Sequence, residues 1–80
     1  MKEILNKIED ELKRAEEIHP DFPTDIFQQL AILTEEAGEV AKAVNDFEFE
    51  GNSIEDVKTE LIQTAAMCVR MYANLLNNLK

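Results

Sequence analysis

Residues 26–47 read IFQQLAILTEEAGEVAKAVNDF, and the spacing of the apolar positions in this stretch decides the fold class. Ile26, Leu30, Leu33, Ala37, Val40, Ala41, Val44 and Phe47 recur every three or four residues, the period of an α-helix and not that of a strand. On a helical wheel Ile26, Leu33, Val40 and Val44 form the centre of the stripe, and Glu36 falls on its flank between Gln29, Ile32 and Ala43. The pattern predicts one helix from about residue 25 to 49, with Thr24 or Asp25 as its cap and Gly51-Asn52 as its break.

Working outward toward the N-terminus, Ile4, Ile8, Leu12, Ala15 and Ile18 recur at helical spacing among Lys and Glu, which predicts a helix over residues 2–18. His19-Pro20-Asp21-Phe22-Pro23 ends it, because two prolines three positions apart forbid continued helix and force their predecessors into extended backbone. Toward the C-terminus, Ser53 followed by Asp56 is close to a capping box and opens a third helix through Ile54, Val57, Leu61, Cys68, Tyr72, Leu75 and Leu79. No strand pattern competes, and neither an internal repeat nor a low-complexity tract is present. The expected architecture is all-α, a three-helix antiparallel subunit forming one domain over residues 1–80. Such a short chain has little core of its own, so its stripes imply completion of a four-helix-type bundle in a homodimer or homotetramer.

The composition narrows the partners. With 45% hydrophobic residues in a patterned order, a folded globule is expected rather than disorder. Seventeen acidic against eight basic side chains give a net charge of −9, which opposes binding to nucleic-acid backbones or anionic lipid and attracts cations. There is no long apolar run and no basic-then-apolar leader, so neither membrane insertion nor secretion is expected, and the cytoplasm is the natural compartment. The single cysteine, Cys68, has no internal disulfide partner and falls on an apolar helical face, where a buried structural thiol is the expectation.

Acids stand at the stripe edges. Glu36 and Glu39, at i and i+3, can converge on one cation, while Glu35 points further outward. On the third helix Glu60 falls beside Thr64, Met67 and Met71, with Asp56 one turn earlier, so two acid-bearing edges can face each other. Hard cations such as Mg²⁺ take oxygen ligands, and acid or amide oxygens from two helices suffice to hold one against a phosphate. The plainer meaning of such pairs in so acidic a chain is an ordinary solvated face. Gly38, mid-helix at a cost of about 1 kcal/mol against Ala, often marks the close approach of another backbone or a ligand.

The run Leu33-Thr34-Glu35-Glu36-Ala37-Gly38-Glu39-Val40-Ala41-Lys42-Ala43, followed by Glu60-Leu61-Ile62-Gln63, resembles the MazG-like all-alpha nucleoside triphosphate pyrophosphohydrolases. Their signature is an E-x-x-E helix followed by an E-x-x-D helix. Glu36 and Glu39 match the first pair and Glu60 the third acid, whereas Gln63 stands where Asp is usual. The resemblance spans residues 24–75 and implies hydrolysis of a (deoxy)nucleoside triphosphate between the α and β phosphates. It implies Mg²⁺, or Mn²⁺, on Glu36, Glu39 and Glu60, with Gln63 or Asp56 as the fourth ligand, and Glu35 or Glu36 as the base. Base recognition is then expected from the inner surfaces of the first two helices and the Pro-containing linker. Gln28 and Gln29 are candidates for the base edge, and Phe22, Phe27 or Tyr72 for stacking, against core packing as the plainer role of each aromatic. Lys42, Lys58 and Arg70 are the cations expected to reach phosphates, against surface ion pairs as the plainer role. His19 is expected to be a helix-end residue rather than a catalyst.

Two other classes fit the same composition. One is a non-catalytic helical oligomer acting as an interaction or regulatory protein, whose melting would not respond to divalent cations. The other is an acidic mimic of nucleic acid, which needs its acids along one outer surface rather than gathered in a cleft.

Overall fold

Each break between helices has a local cause. In the computed structural model, which describes residues 1–78, the chain forms α1 (Lys2–Ile18), α2 (Ile26–Glu50) and α3 (Ile54–Asn78). These make the described residues 86% helical, with no strand among them. α1 stops two residues before Pro20, and the His19 N–H donates to the Ala15 carbonyl at 2.7 Å, so His19 is a helix-end residue. α2 begins where the Asp25 carboxylate accepts the Phe27 N–H at 2.7 Å, which makes Asp25 and not Thr24 the cap. It ends at Gly51, whose φ of 73° is the left-handed conformation that glycine adopts without a Cβ clash. The Ser53 hydroxyl then accepts the Glu55 N–H at 3.0 Å, capping α3 one residue earlier than a capping box with Asp56 would. Leu79, expected to extend the stripe of α3, lies outside the described residues.

α3 is the central element. α1 packs along one side of it and α2 along another, and the backbones of α1 and α2 do not pack on each other. Among the described residues the buried apolar side chains are Ala15, Ala43, Val57 and Ala66, a thin core of small residues that lets the helices approach closely. The radius of gyration is 13.7 Å with extents of 46 × 28 × 22 Å, against about 11.6 Å for a compact domain of this length. An open, elongated subunit therefore leaves much apolar surface uncovered. None of its described helices is long and apolar enough to cross a membrane.

That uncovered surface corrects three expectations. The stripe centre of α2 is not its buried line: Ile26 and Val44 are exposed, and Gln29 and Ala43, on the flank, are buried. Cys68 is exposed, because it shares the outer face of α3 with Leu61, Tyr72 and Leu76 rather than facing α1 or α2. Phe27 and Tyr72, at 76% and 68% exposure, pack in no core of this subunit.

Candidate active site

The flank of α2 that meets α3 carries Glu36, half-buried, and the helices are pinned at that level by a side chain of α3. The Thr64 hydroxyl lies 2.8 Å from the Glu60 carbonyl on its own helix and 3.2 Å from the Glu36 carbonyl on α2, donating its one proton between them. This fixes the register in which Glu36 and Glu60 stand opposite each other. Burial pushes the Glu36 carboxyl above its ordinary value, and the charges of Glu60, Glu35, Glu39 and Glu11 push it further the same way.

Beside Glu36 lies a cleft of about 380 Å³ between α1 and α2, floored by Gln63 and Met67 of α3. Glu35, Glu36 and Ile32 form its α2 wall, and Glu11, Arg14 and Ile18 its α1 wall. The linker residues His19 and Phe22, together with Arg70, complete it. A second depression of about 250 Å³, near the α2–α3 connection, holds Glu39, Asp56 and Glu60 together with Lys42 and Asp46. Glu36 and Gln63 thus share one hollow, and Glu39, Asp56 and Glu60 share its neighbour.

Among the described residues no three of the His, Cys, Asp and Glu side chains stand close enough to share a metal ion. The donor set nonetheless suits a hard cation: every candidate atom is an oxygen, and Glu36 ionises against four neighbouring carboxylates whose repulsion a divalent ion would relieve.

Several side chains expected at the substrate are committed elsewhere. Gln29 is 0% exposed, and its amide N–H groups donate to the Pro23 carbonyl at 2.8 Å and to Asn74 Oδ1 at 2.6 Å. It ties the linker to α2 and α3, and it is not open to a base edge. Gln28 is exposed and outside the cleft lining, as are Phe27 and Tyr72. Lys42 pairs with Asp46 at 3.0 Å and Lys58 with Glu55 at 3.3 Å, each within its own helix and each on the surface. Arg70, by contrast, stays in the cleft lining, held at its linker end, where it donates to the His19 carbonyl and lies over the Phe22 ring at 4.9 Å from its centroid.

Two residues of α1 join the site without having been expected there. Arg14 donates to both Glu11 carboxylate oxygens, at 2.9 and 2.7 Å, and the Glu11 side chain is only 13% exposed. Arg14 holds its proton more tightly through Glu11 first and, further off, through Glu36. The sequence carried the signal: on the wheel of α1, Glu11 falls between Ile4 and Ile18, inside the apolar stripe and not opposite it.

No protein-family model matches the sequence, and comparison with the curated proteins and with the solved structures finds no match.

Proposed function

We propose that this chain is a divalent-cation-dependent nucleoside triphosphate pyrophosphohydrolase of the MazG-like kind, converting a (d)NTP to the (d)NMP and pyrophosphate. The observation that carries this reading is Glu36, a half-buried carboxylate set against Glu60, Glu35, Glu39 and Glu11 beside a cleft of about 380 Å³. A bound cation would relieve the repulsion that raises the Glu36 carboxyl. Glu36, Glu39 and Glu60, with Asp56 or Gln63, would hold Mg²⁺ or Mn²⁺, which when bound neutralises the triphosphate and polarises its α-phosphoryl group. Gln63 supplies an amide oxygen without charge, and Asp56, which shares a hollow with Glu39 and Glu60, is the charged alternative.

The remaining steps belong to the chain itself. Glu35, on the rim of the same cleft and outside the ligand set, takes the proton of the attacking water on its carboxylate. A new O–Pα bond forms, the bond from Pα to the bridging oxygen breaks, and that oxygen leaves with pyrophosphate. Arg14, opposite Glu35 and Glu36, offers its guanidinium to the departing phosphates. The reading also includes a homodimer or homotetramer, supported by the exposed Ile26, Leu30, Val44, Leu61 and Leu76.

Purified protein incubated with each common NTP and dNTP in Mg²⁺ or Mn²⁺ should yield nucleoside monophosphate and pyrophosphate. Release of neither product from any of them would end this proposal. The exposed outer face also favours a second reading, a non-catalytic helical interaction protein, under which divalent cations leave the melting temperature unchanged.

A further inference from the structure

The chain has two arginines, Arg14 and Arg70, and both line the same cleft, whereas none of its described lysines does. In a protein of net charge −9 that distribution calls for a division of labour. Arg14 is held by Glu11 within reach of the Glu36 charge, at the acidic part of the cleft. Arg70 is held at the linker, one N–H on the His19 carbonyl and its guanidinium over the Phe22 ring. A guanidinium carries five N–H donors, no acceptor, and a charge it does not lose. The ring and the carbonyl fix the plane in which its other donors lie, which is what turns a flexible cation into a directional reader.

We propose that Arg70 is the base-discriminating residue of this cleft, selecting bases with a carbonyl at purine position 6 or pyrimidine position 4. This rests on the pyrophosphohydrolase reading, which places the triphosphate at the acidic part of the cleft and the base at the linker. Guanine presents O6 beside N7, and thymine and uracil present O4, all acceptors. Adenine and cytosine present exocyclic amino groups there, and a donor set against Arg70 is left unpaired in a partly dehydrated site. The favoured substrates are therefore guanine, thymine and uracil nucleotides.

The test compares kcat/KM for dGTP, dTTP, dATP and dCTP, and in parallel the dissociation constants of their non-hydrolysable α,β-imido analogues, for the unmodified protein, Arg70→Lys and Arg70→Met. The unmodified protein should favour dGTP and dTTP by about tenfold, the discrimination of one arginine–base contact. Arg70→Met should bring that ratio close to one, and Arg70→Lys, which keeps the charge but not the fork, should lower it. Because Arg70 also holds the linker, each variant is first melted; should both unfold, Phe22→Leu, which frees the guanidinium plane, must reduce the ratio. A protein with no base preference, a preference for dATP and dCTP, or a preference that folded Arg70 variants retain overturns the inference while hydrolysis stands. Analogue binding without hydrolysis still reads the base preference and sinks only the catalytic reading, and neither binding nor hydrolysis sinks both.

Discussion

α2 has two faces that invert the usual order of a globular helix. Its inner line runs Gln29, Glu36, Ala43 and meets α3, and its outer line runs Ile26, Leu30, Val44 and meets solvent. A fully buried amide and a half-buried carboxylate thus face the interior while Ile26, Leu30 and Val44 stay outside. Packing within one subunit brings polar groups together and leaves hydrophobic surface uncovered. On the proposed reading the inner face would carry the chemistry and the outer face the association, so the two should fail separately when mutated.

The largest effect expected is on the inner face. Glu36→Gln and Glu39→Gln should each reduce pyrophosphohydrolysis by more than about a hundredfold and abolish the rise in melting temperature with Mg²⁺. Glu16→Gln, on the polar face of α1, should change neither. On the outer face, Leu30→Asp should leave the subunit helical by circular dichroism but weaken self-association about a hundredfold, read as a shift to monomer in light scattering at micromolar concentration. A native protein that is already monomeric there would break the comparison. Gln29→Ala leaves the Pro23 carbonyl without its donor and should cost about 2 kcal/mol in a urea melt. Smaller again, Gly38→Ala should stabilise by about 0.5–1 kcal/mol, since a Cβ at Gly38 meets no atom within 4 Å in this subunit. A loss of stability instead would mean that a second chain lies against Gly38.

The smallest effect is a pH dependence with a definite sign. The Glu36 carboxyl sits above its ordinary value of 4.5, through burial first and then through Glu60, Glu35, Glu39 and Glu11. A carboxyl raised by folding adds stability that is complete below the unfolded value and is lost as pH rises through the raised folded one. The metal-free protein should therefore lose stability across that window by more than Glu36→Gln does, and Mg²⁺ should flatten the difference.

The helices were legible in the sequence because their punctuation is local. Pro20, Pro23 and Gly51 act through backbone geometry that no distant contact overrides, and the bounds of α1 follow from them and from the stripe alone. The stripe on α2 was equally plain, but periodicity gives only its width and not which of its positions a single subunit covers. That is why Cys68 and, at the centre of the α2 stripe, Ile26 and Val44 are exposed while Leu33 and Val40 are only half-buried. Glu36 on the flank is readable from the wheel of α2, and Glu11 is equally readable from the wheel of α1. The commitment of Gln29 is not, because it depends on a carbonyl at Pro23 and an amide at Asn74, brought to it by the linker and by a helix 45 residues away.

The shared hydroxyl of Thr64 has a mechanical consequence. Sliding α2 along α3 would break its contact with the Glu36 carbonyl, so the hydroxyl ties the register of the two backbones that carry the acids. α1 has no backbone packing on α2 and is hinged at a linker gripped at its two ends, by Arg70 at His19 and by Gln29 at Pro23. The wall that α1 gives the cleft is therefore positioned through α3 and the linker, independently of the contact that sets α2 against α3.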